Sequence, residues 1–206
     1  MSFFENTRKP NGIGGKIMVS MMNSGHRALA DWAFQFLKIP EDGTILDCGC
    51  GGGANIERML REHFQVSVKG IDYSDVSVQK SRKVNQKAIE KGRCEILQAS
   101  VMELPFENEV FDLVTAFETV YFWPDLQKSF QEVRRVLKNG GRFFICNECN
   151  GDTDKDDKWM EKIPGMTIYR DYQLQEHLEQ AGFDHVSIQK NEKGWISILA
   201  EKGNRA

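Results

Sequence analysis

The stretch Ile45-Leu46-Asp47-Cys48-Gly49-Cys50-Gly51-Gly52-Gly53 decides the fold, because it joins an apolar run to a glycine-rich turn. Residues 43–47 are predicted to form a buried β-strand, and a helix with apolar residues on one face is predicted to begin near Ala54. Glycines at such a junction let the chain turn sharply and let a ligand lie against main-chain N–H groups. The stretch therefore predicts a ligand-binding turn at the carboxyl end of the first strand.

The alternation of strand-like and helix-like segments continues along the chain, which is typical of a parallel sheet. Further strands are predicted at 66–72, 94–99, 111–117, 142–146, 183–190 and 195–201. Ser74 and Asp125 are predicted to cap helices that end at Gly92 and at 139–141, and a short helix is predicted at 171–181. Residues 191–194 join the last two strands as a hairpin, so that pair is predicted to be antiparallel.

These elements predict a single α/β domain over residues 1–206. Residues 41–202 would form a Rossmann-like, doubly wound core with a seven-stranded, mostly parallel sheet and a C-terminal antiparallel hairpin. Residues 1–40 precede the first strand and are predicted to form a helical cap. Residues 147–170 form a connection too long to be a simple joint, and long connections are usually functional or mobile. We therefore expect a lid there.

Composition narrows the class of protein. The chain has 206 residues, 40% of them hydrophobic, which is ample for one core. Its 27 Lys and Arg against 30 Asp and Glu give a net charge of −3, which argues against a nucleic-acid partner. No apolar run approaches the roughly 20 residues that span a bilayer, and no signal peptide is apparent, so a cytoplasmic location is expected. The five cysteines are scattered, which favours reduced thiols.

An acidic residue at the end of the second strand supports a ligand-binding role for the glycine turn. Asp72 ends the predicted second strand, beside the turn, where its carboxylate can accept hydrogen bonds from ribose hydroxyls. Residues 49–54 also fit the dinucleotide fingerprint G-x-G-x-x-A, so an NAD-dependent oxidoreductase is an alternative. Asp47 counts against it, because a carboxylate suits an amine or sulfonium better than a pyrophosphate. A non-catalytic module that keeps a cofactor pocket is a second alternative.

Several ordered motifs resemble those of one enzyme family. These are the stretch 45–53, Gly70-Ile71-Asp72-Tyr73-Ser74, Leu104-Pro105-Phe106 before Phe111-Asp112-Leu113-Val114, and residues 132–141. Over roughly residues 40–202 the chain resembles class I S-adenosylmethionine-dependent methyltransferases, specifically the small ubiquinone-biosynthesis-like group known as methyltransferase type 11. The resemblance implies S-adenosylmethionine as cofactor, S-adenosylhomocysteine as product, and a small-molecule methyl acceptor.

The resemblance also implies a set of cofactor-binding residues. The turn would hold the methionine part, Asp72 the ribose, the loop 100–102 the adenine, and Phe117 with Glu118 would lie near the sulfonium. Relatives commonly carry an Asp where this chain has Ser100, so a hydroxyl or the backbone would replace that contact. The full set is Asp47, Gly49, Cys50, Gly51, Gly53, Asp72, Tyr73, Ser74, Ser100, Val101, Met102, Phe117 and Glu118.

Methyl transfer needs an in-line nucleophile and a dry site more than covalent help, so no catalytic residue is assigned. If the acceptor must lose a proton, His26, Tyr121 and His177 are candidate bases. Apolar residues at 121–123 and at Met18, Met21 and Met22 would suit an apolar or aromatic acceptor. The predicted acceptor residues are His26, Met22, Tyr121 and Trp123.

No metal is predicted from the sequence. Cys146-Asn147-Glu148-Cys149 is a C-x-x-C without a second ligand pair at zinc spacing. Residues 152–157 imitate the start of a calcium loop but lack its glycine and its closing glutamate. That acidic run is predicted to be a solvated, mobile stretch.

Overall fold

A computed structural model of the chain describes residue 12 and residues 25–203. Its strands are β1 Gly43–Cys48, β2 Val66–Asp72, β3 Cys94–Gln98, β4 Phe111–Phe117, β5 Leu137–Asn147, β6 Asp184–Lys190 and β7 Ile196–Glu201. They form a seven-stranded sheet in the order β3-β2-β1-β4-β5-β7-β6. The strands β1 to β5 pair in parallel, and β7 is antiparallel to both β5 and β6. The predicted Rossmann-like sheet with its antiparallel end is confirmed.

Helices cover both faces of the sheet. They are α1 Arg27–Ala33, α2 Ala54–Glu62, α3 Asp75–Val84, α4 Gln86–Glu90, α5 Leu126–Val136, α6 Asp154–Lys162 and α7 Asp171–Gln180, with a 3-10 turn at Val120–Phe122. One apolar cluster joins α1, α2 and α3 to the sheet, and a second joins α5 and α7 to the opposite face. The result is a three-layer α/β arrangement, as the doubly wound pattern requires. Within the described ranges, no helix is long and apolar enough to span a membrane.

The predicted helix starts are confirmed by their capping bonds. The Ser74 hydroxyl accepts the Ser77 N–H at 3.4 Å, and the Asp125 carboxylate accepts the Lys128 N–H at 2.9 Å. Each bond satisfies one of the free N–H groups in a first helical turn. Ser74 therefore has a structural role at the start of α3.

The helix predicted from Ser74 to Gly92 is interrupted at Asn85. This buried side chain donates to the carbonyl of Gly53 at 3.1 Å and to that of Ser81 at 3.0 Å. Asn85 thereby links the glycine turn to the end of α3, and α4 begins at the next residue. The break thus has a tertiary cause that helical periodicity does not reveal.

The prediction that residues 139–141 end α5 is wrong. The helix ends at Val136, and β5 begins at once because the fully buried Leu137 pairs with Phe111. The register then shifts so that Arg142 pairs with Leu113. The two glycines therefore lie in an irregular part of a strand.

The acidic run at 152–157 includes one residue that is not solvated as predicted. It starts α6, and the buried Asp156 carboxylate accepts the N–H groups of Gly151 at 3.0 Å and Thr153 at 3.4 Å. Asp156 is therefore buried and not solvated, and the mobility of the stretch stays a prediction. Residues 147–170 are a helical connection that begins at the carboxyl end of β5.

Candidate functional site

The site lies where the sheet order reverses. β1 and β4 are neighbours, and the chain leaves them in opposite directions to reach β2 and β5. Ligands of open α/β sheets bind in the crevice that forms outside the carboxyl ends of such strands. A cavity of about 750 Å³ opens there, between the ends of β1, β2 and β4 and the helices α1 and α2. Its volume suits a cofactor together with a small molecule.

The glycine turn presents bare backbone to this cavity. The N–H groups of Gly49 and Cys50 donate to the Ile71 carbonyl at 2.8 and 2.9 Å, which fixes the turn against β2. Gly49 backs onto Thr119, where an added Cβ would come within 2.1 Å of the hydroxyl. Gly51 has φ +51° and nothing within 4 Å of an added Cβ. The turn is therefore packed at Gly49 and open at Gly51.

Asp72 supports the same turn. One carboxylate oxygen accepts the Gly51 N–H at 3.0 Å, and the other accepts the Ser74 N–H at 2.8 Å. Burial raises the pKa of Asp72, and these two N–H groups oppose the rise. Each carboxylate oxygen retains a lone pair that a ribose hydroxyl can use.

Asp47 is the most deeply buried acid of the site, with 2% exposure. It accepts the Thr115 hydroxyl at 2.7 Å. Burial raises the pKa of Asp47 to about 7, the Thr115 bond lowers it, and the charge of Asp72 raises it further. Two acids side by side at the ends of β1 and β2 disfavour a pyrophosphate and favour a cationic ligand.

Glu118 follows β4 in the left-handed region, with φ +59°. A non-glycine residue there carries strain, and such strain clusters at functional sites. Its carboxylate accepts the Glu148 N–H and the Tyr121 hydroxyl, the latter at 3.3 Å. Burial raises the pKa of Glu118 to about 8, the Glu148 N–H lowers it, and the charge of Glu148 raises it. His26 stands across from it, with Nε2 3.9 Å from Glu118 Oε2.

Most of the predicted site residues line the cavity. These are His26, Asp47, Gly49, Cys50, Gly51, Asp72, Tyr73, Ser100, Val101, Phe117, Glu118 and Trp123. Two residues that were predicted as acceptor contacts or bases are not part of the cavity lining. Tyr121 is buried behind Glu118, where its hydroxyl accepts the Cys149 N–H at 2.8 Å. His177 lies on α7, away from the cavity, with Nδ1 3.2 Å from Gln127 Oε1.

Three predicted cofactor residues support the cavity without being part of its lining, namely Gly53, Ser74 and Met102. Gly53 packs against Ser81 and Asn85, Ser74 caps α3, and the Met102 N–H donates to the Ser100 hydroxyl at 3.2 Å. Met18, Met21 and Met22 lie outside the described residues, so the predicted acceptor role of Met22 stays a prediction. The five cysteines are free thiols.

Sequence reasoning missed the bridge that joins α1 to α2. Arg58 on α2 donates to Asp31 on α1 at 2.6 Å, and its guanidinium lies 3.9 Å from the centre of the Phe34 ring. This bridge closes the cavity opposite the sheet. Charged residues on the polar face of a helix carry no sequence signal for such a role, because most of them are simply solvated.

Comparisons with known proteins agree with this geometry. Residues 46–145 match a family model described as a methyltransferase domain. The chain is 28% identical over 167 residues to 24-methylenesterol C-methyltransferase 2 of Arabidopsis thaliana, covering 76% of this chain and 45% of that protein. It is 26% identical over 185 residues to the methyltransferase YdaC of Bacillus subtilis (strain 168), covering 87% of this chain and 93% of that protein.

Solved structures share the fold. Geranyl diphosphate C-methyltransferase from Streptomyces coelicolor A3(2), in complex with S-adenosyl-L-homocysteine, superposes with a TM-score of 0.73 at 16% identity, covering 85% of this chain and 77% of that one. A chain from the Haloferax volcanii complex of the Trm112 methyltransferase activator with a methyltransferase gives a TM-score of 0.82 at 20% identity, covering 91% and 94%.

The sheet order and the glycine turn beside two acids define a class I methyltransferase fold. Residues 46–145 match the methyltransferase-domain family model, and the fold is that of S-adenosylmethionine-dependent methyltransferases. The chain spans 42% and 45% of the lengths of two Arabidopsis 24-methylenesterol C-methyltransferases that it matches. The acceptors of those longer enzymes therefore do not identify the acceptor of this chain.

Proposed function

We propose that this protein transfers the methyl group of S-adenosylmethionine to a small-molecule acceptor in the 750 Å³ cavity. The observation that carries the proposal is the open backbone of Gly51, bonded to Asp72 and close to the buried Asp47. This turn can hold the methionine part of the cofactor by its N–H groups, and Asp47 can neutralise the ammonium group. Asp72 accepts the ribose hydroxyls.

The remaining contacts follow from the lining of the cavity. Tyr73 follows β2, Ser100 and Val101 follow the neighbouring strand β3, and the three residues would enclose the adenine. Phe117 and Glu118, at the end of β4, would lie beside the methyl group. The acceptor would then occupy the part of the cavity that His26 and Trp123 line.

Positioning and exclusion of water supply the catalysis in this account. A well-oriented nucleophile gains most of its advantage from being held in line with the methyl group at near-contact distance. Leu29 and Ala30 of α1 give the acceptor part apolar walls, and the Arg58 to Asp31 bridge holds α1 against α2. We propose that residues 1–40 act as the cap of this site.

A methyl-transfer assay tests the function. The protein is incubated with S-adenosylmethionine labelled in its methyl group and with panels of alkenes, alcohols, phenols and amines. Label should pass to at least one acceptor, with one S-adenosylhomocysteine formed for each methyl transferred. A protein that binds the cofactor but methylates no member of the panels would support the alternative of a non-catalytic module.

Asp72 offers a direct test of cofactor recognition. Asp72→Asn keeps one carbonyl oxygen as an acceptor but removes the charge, so affinity for S-adenosylhomocysteine should fall by about 1.5 to 3 kcal/mol. Calorimetric titration measures the change. The matched control is Asp75→Asn, one turn away at the exposed start of α3, which should leave the affinity unchanged. Native affinity in Asp72→Asn would reduce Asp72 to a structural residue.

We also propose that residues 147–170 act as a lid. The segment is tied to the turn after β4, because the Thr167 N–H donates to the Tyr121 carbonyl at 2.9 Å. A filled site should therefore protect it, and limited proteolysis between residues 150 and 165 should slow when S-adenosylhomocysteine is added. Cleavage at the same rate with and without the ligand would contradict the lid.

A further inference from the structure

A second cluster of polar groups lies at the edge of the cavity, on the acceptor side. One nitrogen of His26 and one carboxylate oxygen each of Glu118 and Glu148 all lie within 4.8 Å of one another. The three residues come from separate places, since His26 precedes α1, Glu118 follows β4 and Glu148 follows β5. The fold brings them together without any sequence motif.

The distances suit a metal ion. His26 Nε2 is 3.9 Å from Glu118 Oε2 and 4.0 Å from Glu148 Oε2. A cation about 2.1 Å from each ligand atom spans ligand pairs up to about 4.2 Å apart. Those two pairs already fall within that span. Glu148 is half exposed, so its side chain can rotate to bring the third pair within reach.

The cluster also lacks a positive charge. Among the residues that the structure describes, neither carboxylate has a Lys or Arg partner, and His26 is the only basic group that faces them. The neutral imidazole of histidine is the commonest metal ligand among protein side chains. A largely buried carboxylate such as that of Glu118, with 12% exposure, is normally paired with a cation or coordinates one.

We propose that His26, Glu118 and Glu148 bind a divalent metal ion at the acceptor end of the cavity. One imidazole nitrogen with two carboxylates suits a cation such as Mn²⁺, which accepts both nitrogen and oxygen ligands. Two carboxylates balance its charge, so a sulfonium nearby would meet no net repulsion. Three protein ligands leave coordination positions open toward the cavity, as in catalytic metal sites.

This arrangement defines the acceptor class, and here the inference rests on the proposed function. An acceptor that carries a hydroxyl, carboxylate or phosphate oxygen would fill an open coordination position. The metal would then orient the acceptor in line with the methyl group and lower the pKa of a coordinated hydroxyl. For a hydroxyl acceptor, the proton would leave to solvent while the hydroxyl oxygen bonds to the methyl carbon, and the bond from that carbon to sulfur would break to release S-adenosylhomocysteine.

The test uses the untagged protein of 206 residues and Mn²⁺ alone. Free Mn²⁺ has a strong six-line electron paramagnetic resonance signal that bound Mn²⁺ loses, so a titration counts sites without an acceptor. Wild type should bind one Mn²⁺, and both His26→Ala and Glu148→Gln should weaken binding at least tenfold. His177→Ala is the matched control and should bind like wild type, because His177 lies beside Gln127 outside the cavity.

Binding of Mn²⁺ with equal affinity to wild type, His26→Ala and Glu148→Gln would overturn the proposal, and so would the absence of binding. Each sample is also titrated with S-adenosylhomocysteine, which reports on folding and on the cofactor site separately. Normal binding of S-adenosylhomocysteine with no Mn²⁺ site refutes the metal proposal and leaves the proposed function intact. Absence of S-adenosylhomocysteine binding to the wild type refutes the proposed function itself.

Discussion

Asp47→Asn should stabilise the ligand-free protein at pH 8 while it weakens cofactor binding. Burial raises the pKa of Asp47 from 3.8 to about 7, so the folded protein holds a proton there that the unfolded chain has already lost. A folded pKa above the unfolded one makes the ionised form a cost to stability, absent below pH 4 and complete above pH 7. The raised pKa corresponds to on the order of 4 kcal/mol.

Thermal unfolding from pH 4 to pH 8 measures this effect. The gain in stability of Asp47→Asn over wild type should be near zero at pH 4 and should grow until pH 7. Asp112→Asn is the matched control, because Asp112 pairs with Lys138 at 2.8 Å. That variant should show no such gain. A wild type whose stability relative to Asp47→Asn is constant over this range would contradict the account of Asp47.

The same carboxylate should make cofactor binding depend on pH. An ammonium group binds the ionised form of Asp47, so affinity for S-adenosylhomocysteine should fall about tenfold for each unit that the pH drops below 7. Asp47→Asn should bind more weakly at pH 8 and should lose this part of the pH dependence. Titration calorimetry at several pH values checks both results. A pH dependence that Asp47→Asn retains in full would assign it to another group.

Gly51→Val should abolish binding of S-adenosylhomocysteine, with a loss of at least a hundredfold, about 2.7 kcal/mol. The new side chain would project from the turn into the cavity, where an added Cβ has nothing within 4 Å. It would take up the space in which the ligand approaches the main chain. Titration calorimetry measures the affinity, and thermal unfolding measures the cost to stability.

Gly92→Val is the matched control. Gly92 has φ +69°, nothing within 4 Å of an added Cβ, and a position beyond α4 outside the cavity lining. Both substitutions carry the strain of a branched residue in the left-handed region, so both should lower stability by similar amounts. Only Gly51→Val should lose the ligand. Equal affinities in the two variants would contradict the placement of the cofactor on the turn.

The sheet was predictable because its strands carry local signals. Buried parallel strands have apolar runs in the sequence. Ser74 and Asp125 mark the starts of α3 and α5 because their side chains cap the first helical turn. The interruption at Asn85 and the early start of β5 at Leu137 depend on contacts with Gly53 and Phe111. Such contacts join distant parts of the chain, so no local pattern contains them.

The candidate site likewise contains residues that local sequence signals predict and residues that only tertiary contacts bring together. Asp47, Gly51 and Asp72 were predictable because the strand ends and the glycine turn fix their positions relative to one another. Tyr121 and His177 were candidate bases because of their residue type alone. In the structure their side chains lie outside the cavity lining. The cluster of His26, Glu118 and Glu148 arises only when three separate segments meet. The spacing of these three residues along the sequence does not indicate that they lie close together in the fold.

Titration calorimetry of the wild-type protein with S-adenosylhomocysteine and, separately, with NAD tests the central claim most directly. The two ligands share an adenosine group, so the difference lies in what Asp47 faces: an ammonium group or a pyrophosphate. S-adenosylhomocysteine should bind with a stoichiometry of one, and NAD should not bind. Binding of NAD with no binding of S-adenosylhomocysteine would contradict that claim.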